Sequence, residues 1–296
     1  MNAAPRQVSA NLTNTSLQAE SNVAFDFVRT LAAELSRGNV DLPSFPEIAV
    51  RVRRVLSDSK SSVDQVVRVV GSEPALAARL LRISNSASFN RSGRAVTDLR
   101  TAINRIGYNM VRSASMSFSM AQMRKSNRLA GLEHHLSDLW QSSTSAAALA
   151  YVLARNCSKV NPDEAMLTGM MHGIGKLYVL TRAVDHPNLF ASDATLNEII
   201  EEWHASIGKA ILENWNFPEA MARAVGEQGN VERTEEGPAD LNDVIAIAIL
   251  MAAHGSDVAL HELGAAKRLG LDSEKTQGVM RESAAEVNAL SLALGG

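Results

Sequence analysis

The sequence predicts an all-α fold, and three observations lead to that prediction. Of the 296 residues, 46% are hydrophobic but only 4% are aromatic, and the plentiful Ala, Leu and Met residues are among those that enter a helix at least cost. Apolar residues recur at helical spacing along most of the chain. Strand-length runs of alternating Val, Ile, Thr and aromatic residues bounded by hairpin turns are missing from the sequence. A sheet therefore has no evident source of strands.

The first residues predict a tail and then a helix. Residues 1–21 are rich in Asn, Ser, Thr and Gln, so they can bury too little apolar surface to offset the conformational entropy that ordering would cost. We interpret them as a flexible tail that is dispensable for folding. From Val23 to Leu35 apolar residues recur at helical spacing, and Arg37 with Gly38 predicts the end of that helix.

Proline and capping residues mark the helices that follow. Pro46 can open one helix, and Ser62 with Gln65 forms a capping-box pattern that begins the next. Gly107 and Tyr108 predict a break in a later helical stretch. The other helices predicted in this half cover Pro74–Ile83, Asp98–Ile106 and Asn109–Met123.

A cluster of basic residues between Arg124 and Arg128 is the best internal boundary. We therefore predict an N-terminal helical lobe over residues 22–128, packed on a C-terminal helical lobe over residues 129–296. Helices in the second lobe are predicted over Leu136–Asn156, Pro162–Arg182, Leu196–Trp215, Pro218–Glu227, Leu241–His254 and Ser273–Leu294. Asn161 with Glu164, and Thr195 with Glu198, supply capping signals for two of them.

Cysteine usage and hydropathy bear on the compartment. The single cysteine, Cys157, cannot form an internal disulfide, which fits a reducing compartment. No apolar run approaches the ~20 residues of a membrane helix, and the first twenty residues lack a secretory pattern. We expect a cytoplasmic protein that does not enter a membrane.

Three segments carry the pattern of a known family. They are Leu-Pro-Ser-Phe-Pro-Glu at residues 42–47, Ser-Glu-Pro-Ala-Leu-Ala-Ala-Arg-Leu-Leu-Arg-Ile-Ser-Asn-Ser-Ala at residues 72–87, and Leu-Thr-Gly-Met-Met-His-Gly-Ile-Gly-Lys-Leu at residues 167–177. In this order they resemble the HDOD domain, an all-α relative of the HD phosphohydrolases, and the resemblance spans roughly Asp41 to His254. It implies an HD-like C-terminal lobe and a role in bacterial signal transduction. It also implies signalling partners such as response-regulator or cyclic-dinucleotide components.

The same resemblance places the metal ligands of HD phosphohydrolases on this chain. Those enzymes use a His on one helix, a His-Asp pair on another and a further Asp downstream. Here the matching positions are Ser142, His172-Gly173 and the stretch Met251–Ala253, so only His172 corresponds to a ligand. A single imidazole beside serine and glycine cannot supply the charge or the coordination number that a divalent ion needs, and without the ion no bound water is activated. We expect a pseudo-enzyme without metal or other cofactor.

Two further interpretations of this region stay open. A rearranged site could use His172, His204, Glu201, Glu202 or Asp243, which would leave a residual phosphohydrolase acting on a nucleotide. Alternatively, His172 is a hydrogen-bonded histidine between packed helices and His204 packs nearby, which we favour. The glycines of Gly169-Met-Met-His-Gly-Ile-Gly175 lack a phosphate-loop pattern, and close helix packing explains them better.

Charge is divided unevenly along the chain. Between Pro46 and Arg128, fifteen Lys and Arg oppose five Asp and Glu, a net charge of +10, whereas Leu129 to Gly296 carries eleven against twenty-three, a net charge of −12. We predict a partner-facing surface on the basic lobe, formed by Arg79, Arg82, Arg91, Arg94, Arg100 and Arg105. Arginine forks suit carboxylates and phosphates, and the scarcity of aromatic residues favours an acidic protein face over nucleic acid. The alternatives are head-to-tail self-association, or two solvated faces that attract each other within one molecule.

Overall fold

A computed structural model describes residues 26–34, 37, 46–58, 60–90, 92–123, 129, 131–186, 193–233, 237–255 and 260–294. The regular elements in these residues are all helices and include no β-strand, so the all-α prediction is confirmed. The predicted tail at residues 1–21 lies outside the described residues.

The helices have the following bounds in chain order. They are α1 (26–34), α2 (Glu47–Ser57), α3 (Val63–Gly71), α4 (Pro74–Ser84), α5 (Leu99–Met123), α6 (Glu133–Cys157), α7 (Pro162–Met171), α8 (Ile174–Ala183), α9 (Asp193–Asn214), α10 (Glu219–Gly226), α11 (Leu241–His254), α12 (Gly264–Arg268) and α13 (Ser273–Leu294). A short 3₁₀ helix, Leu260–Glu262, precedes α12.

In the N-terminal half, the structure confirms the predicted capping box and the predicted helix break. Ser62 Oγ accepts from the Gln65 N–H at 3.3 Å, and Gln65 Oε1 accepts from the Ser62 N–H at 2.6 Å, so the capping box is formed. Gly107 breaks α5 at φ 75° and ψ 165°, a conformation that glycine adopts without steric cost. α5 packs against α2, α3 and α4. Its four methionines are buried: Met110, Met116, Met120 and Met123.

Helix α6 is the centre of the second half, where it packs against α7, α11 and α13. The helix predicted over Pro162–Arg182 is in fact two helices, α7 and α8, which are separated at His172 and Gly173. Apolar residues continue through this break, so periodicity alone does not reveal it. The predicted cap at Thr195 is also wrong, because α9 begins earlier, at Asp193.

Helix α1 contacts the second half of the chain. Phe27 and Leu31 are buried, and the Phe27 ring lies edge-on to the His186 ring at 5.1 Å between centroids. Glu34 Oε2 accepts from the Tyr178 hydroxyl of α8 at 2.6 Å. The sequence prediction grouped α1 with the N-terminal lobe, whereas these contacts tie it to α8. The two-lobe division itself stays a prediction.

Helix α13 and a cation–π contact connect the N-terminal half of the chain with the C-terminal half. α13 packs against α6 and also against α4 and α5. The Arg53 guanidinium of α2 stacks over the Trp215 ring, 4.4 Å from its centroid. Within the described residues, no helix combines the length and apolar character needed to cross a membrane.

Candidate functional site

A cleft of about 220 Å³ opens where α6, α8 and α9 meet, next to the predicted degenerate metal positions. Ser142 from α6 and Lys176 from α8 both line it. The other lining residues are His135, Asp138, Leu139, Leu180, Asn197, Ile200 and Glu201. The cleft is therefore lined by charged side chains of both signs together with apolar ones.

His172 lies at the junction of α7 and α8, where it is only 2% exposed. Its Nδ1 is 2.7 Å from the carbonyl oxygen of Gly169, and because a carbonyl can only accept, Nδ1 carries the proton. Nε2 then offers its lone pair toward Ser142 Oγ at 3.4 Å. Burial lowers the pKa of His172 to about 4. The imidazole is therefore neutral at neutral pH.

His204 has a similar arrangement on α9. Its Nδ1 donates to the carbonyl oxygen of Ile200, 2.7 Å away. Burial, followed by the positive charge of Lys176, lowers the pKa of this imidazole. Lys176 also contributes to the low pKa of His172. One ammonium group thus acts on both histidines.

Lys176 lies in the first turn of α8, and the sequence prediction gave it no functional role because the Gly-Ile-Gly before it lacks a phosphate-loop pattern. Gly173, the N-cap of this helix, supplies no side-chain cap. Lys176 is half-buried, and among the residues that the structure describes no carboxylate lies within ion-pair distance of its ammonium group. The only signal in the sequence is a lysine that follows Gly-Ile-Gly, which resembles an ordinary packing motif.

Glycines allow α8 to approach its neighbours closely. A Cβ atom on Gly175 would overlap the carbonyl oxygen of His204, and one on Gly173 would overlap the Leu139 side chain. Gly208 of α9 lies against Val225 in the same way. The glycines therefore serve helix packing at this site.

The residues present do not fit a divalent metal ion. Ser142, His172 and Gly173 do lie together, but the stretch Met251–Ala253, at the position of the last ligand, offers only thioether and methyl side chains. Asp243, from the rearranged alternative, is 1% exposed and paired with Arg268. In the described parts of the chain, no group of three or more His, Cys, Asp and Glu residues could hold a metal.

The six arginines predicted as a partner surface separate into different roles. Arg79 Nη1 donates to Ser117 Oγ and to the carbonyl oxygen of Leu294, both at 3.2 Å, so it fastens α13 to the fold. Arg105 Nη1 donates to the carbonyl oxygens of Ser84 and Arg94, at 3.2 and 3.1 Å.

The other four arginines differ in solvent exposure and in ion pairing. Arg100 pairs with Asp64. Arg82 and Arg94 are exposed to solvent. Arg91 lies outside the described residues. Three of the five described side chains, Arg82, Arg94 and Arg100, are therefore exposed, and the structure shows no ion pair to a described residue for Arg82 or Arg94.

Comparison with known proteins establishes the family. Residues 42–231 match the model of the HDOD domain, which is more than half of the chain, and the protein therefore belongs to the HDOD family. A curated but uncharacterised protein of Treponema pallidum is 23% identical over 235 residues. That alignment includes 74% of this chain and 43% of the relative, so the chain spans less than half the length of that protein.

Solved structures show the same fold. A Shewanella amazonensis protein, provisionally described as a metal-dependent phosphohydrolase, superposes with a TM-score of 0.68 at 24% identity over 92% of this chain and 99% of its own. An HDOD domain protein of unknown function from Geobacter sulfurreducens gives 0.62 at 20% identity, over 90% and 97% of the two chains. A Marinobacter aquaeolei protein, provisionally described as a signal transduction protein, gives 0.56 at 20% identity, over 93% and 66%.

Proposed function

We propose that this HDOD protein is a non-catalytic module of bacterial cytoplasmic signal transduction, which acts by binding other molecules. One observation carries the proposal. Around the single imidazole of His172, the positions of the HD metal centre hold a serine and a glycine, and Lys176 adds an ammonium charge. A resident cation repels a divalent ion electrostatically, and the surrounding groups do not supply the ligands that such an ion needs.

The alternative is a residual phosphohydrolase acting on a nucleotide, which the description of the Shewanella neighbour favours. Its chemistry would require a base near neutral pH. Burial holds the pKa of His172 at about 4, far below the value that suits a general base at pH 7. Ser142, at 3.4 Å from this imidazole, is therefore poorly activated as a nucleophile. The description of the Marinobacter neighbour agrees with the signalling role.

Elemental analysis and a phosphodiesterase assay test the non-catalytic proposal. We expect purified protein to hold no stoichiometric zinc, iron or manganese. We also expect no turnover of a generic phosphodiester when Mn²⁺, Mg²⁺ or Zn²⁺ is supplied. A metal-to-protein ratio near one that disappears in His172→Ala, or turnover that depends on His172, would restore the hydrolase alternative.

The partner-facing surface is proposed for the exposed arginines of the basic half. Arg82 lies in the last turn of α4 and Arg94 in the loop that joins α4 to α5, and exposed guanidinium groups suit the carboxylates of an acidic protein face. The double variant Arg82→Glu with Arg94→Glu should abolish capture of partners from the native cytoplasm and leave the helical circular-dichroism spectrum unchanged.

A matched control uses exposed cations of the acidic half. The double variant Lys267→Glu with Arg281→Glu makes the same change in net charge on α12 and α13, and it should capture partners normally. Equal losses in both double variants would show that only net charge matters. Binding of nucleic acid with a steep salt dependence, lost with Arg82 and Arg94, would favour the nucleic-acid alternative instead.

A further inference from the structure

The cleft between α6, α8 and α9 is lined by opposite charges that do not pair with each other. Each helix contributes two residues four positions apart, which share one face of a helix: Asp138 and Ser142 from α6, Lys176 and Leu180 from α8, and Asn197 and Glu201 from α9. Among the described residues, neither Lys176 nor Glu201 forms an ion pair with any side chain. One ammonium group and two carboxylates therefore line a single cleft of about 220 Å³.

These charged groups remain available to a ligand. Lys176 is half-buried, so its ammonium group has lost part of its hydration and gains from a bound counter-charge. Asp138 Oδ2 is 2.6 Å from Nδ1 of the exposed His134, which leaves the second oxygen of this carboxylate for a ligand. Glu201 is exposed, and an ion pair at an exposed position contributes little to stability. A ligand that brings both charges therefore has no strong ion pair to displace.

Apolar side chains complete the lining of the cleft. Leu139, Leu180 and Ile200 all line it, and all three are buried in the fold. They suit the aliphatic part of a ligand, because contact with them removes apolar surface from water. The volume of the cleft is below the range of about 300–1,000 Å³ that is typical of drug-sized ligands, so the ligand is a small metabolite.

We propose that this cleft binds a small amino acid. The carboxylate of the ligand pairs with Lys176, its ammonium group pairs with Glu201 and Asp138, and the methylene or methyl groups of its side chain pack against Leu180 and Ile200. An anion alone would be repelled by the two carboxylates and a cation alone by the lysine, whereas a zwitterion presents each charge to its opposite. The site rests on the proposed function, since it requires a cleft that binds without acting as a catalytic metal centre.

Isothermal titration calorimetry on the full chain tests the site with matched probes. L-valine carries both charges, isovalerate is the same molecule without the ammonium group, and isobutylamine is the same molecule without the carboxylate. We expect L-valine to bind about tenfold more tightly than either analogue, because each analogue leaves one charged group of the cleft without a partner. L-ornithine adds a second cation, and its affinity relative to L-valine shows which kind of side chain the second carboxylate favours.

Variants of the charged residues locate the binding in this cleft. Lys176→Gln should weaken L-valine binding about tenfold and remove the preference for L-valine over isobutylamine. Glu201→Gln should narrow the preference for L-valine over isovalerate. The matched control is Glu202→Gln on the same helix, because Glu202 lines a separate groove between α1 and α9, and this variant should bind all probes as the unchanged protein does. Thermal melting of each variant confirms that the fold is intact.

Three results would refute the amino-acid site. They are the absence of binding by both amino acids at millimolar concentration, an affinity for isovalerate or isobutylamine equal to that for L-valine, and a Lys176→Gln variant that still prefers L-valine over isobutylamine. Such a failure leaves the tests of partner capture and of metal-free inactivity unaffected. Metal-dependent turnover of a phosphodiester would instead contradict the proposed function, whatever calorimetry shows.

Discussion

At the scale of single residues, His172 shows how burial sets chemistry. The side chain keeps one proton, on Nδ1, because the carbonyl oxygen of Gly169 accepts it at 2.7 Å. A second proton would place a charge in an almost fully buried position beside Lys176. The imidazole is therefore a structural hydrogen-bonding group, and it does not serve as a pH-responsive base near neutrality.

This burial makes stability depend on pH. The pKa of His172 is about 4 in the folded protein and 6.5 for an ordinary histidine, so between these values the unfolded chain binds more protons. The stabilisation is fully present above pH 6.5 and is lost as the pH falls toward 4, by about 3 kcal/mol in total. Urea unfolding of the unchanged protein and of His172→Gln should give free energies that converge by about this amount over the interval.

The exposed His134 provides the control for that measurement. Its side chain is 85% exposed, and an exposed ion pair contributes little to stability, so His134→Gln should change the free energy of unfolding far less than His172→Gln does. Parallel curves for His172→Gln and the unchanged protein would mean that His172 is protonated to the same extent in the folded and unfolded states.

At the scale of helices, the close contact between α8 and α9 depends on Gly175, which has no side chain. A Cβ atom on Gly175 would overlap the backbone carbonyl of His204 and lie 2.8 Å from the backbone nitrogen of Gly208. Backbone atoms cannot turn aside as a flexible side chain can. The two helices that form the cleft would have to separate.

Gly175→Ala should therefore destabilise the protein by about 3 kcal/mol, at the upper end of typical overpacking costs. The matched control is Gly278→Ala in α13, where no atom lies within 4 Å of the added Cβ. Because alanine is the better helix former, this control should stabilise by about 0.5–1 kcal/mol. Equal effects of the two substitutions in chemical denaturation would contradict the close approach of α8 and α9.

At the scale of the whole molecule, α13 joins the two halves of the chain, although it lies beyond residue 231, where the family match ends. Arg155 of α6 makes a two-pronged ion pair with Glu286 of α13. Near the end of the same helix, the carbonyl oxygen of Leu294 accepts from Ser117 of α5 and from Arg79 of α4. Helix α13 is therefore an integral part of the fold.

A double-mutant cycle measures the strength of this connection. With Arg155→Ala and Glu286→Ala, we expect a coupling free energy of about 1–3 kcal/mol, because the pair is two-pronged and its side chains are only 30% and 19% exposed. The control pair Lys209 and Glu213 is 4.0 Å apart and about half exposed, and its coupling should stay below about 0.5 kcal/mol. A coupling near zero for the first pair would show that this ion pair does not hold α13, which leaves apolar packing and the hydrogen bonds to the Leu294 carbonyl oxygen.

Sequence reasoning determined the features that depend on near neighbours in the chain. The capping box at Ser62, the break at Gly107 and the bounds of α11 and α13 all follow from residues a few positions apart. Motif order led to the HDOD family for the same reason, because motifs are contiguous segments.

Only the tertiary structure decided how side chains from distant segments act on one another. Lys176 near His172 and His204, the hydrogen bonds of Arg79 to α13 and the interruption of the helix at Gly173 all require neighbours from other helices. Burial, electrostatic potential and steric overlap depend on three-dimensional distance. Ser142 and His172, for example, are 30 positions apart in the chain, but Ser142 Oγ and His172 Nε2 lie 3.4 Å from each other. Periodicity in the sequence predicts which side chains face the core, and the packing of the helices determines which of those side chains contact one another.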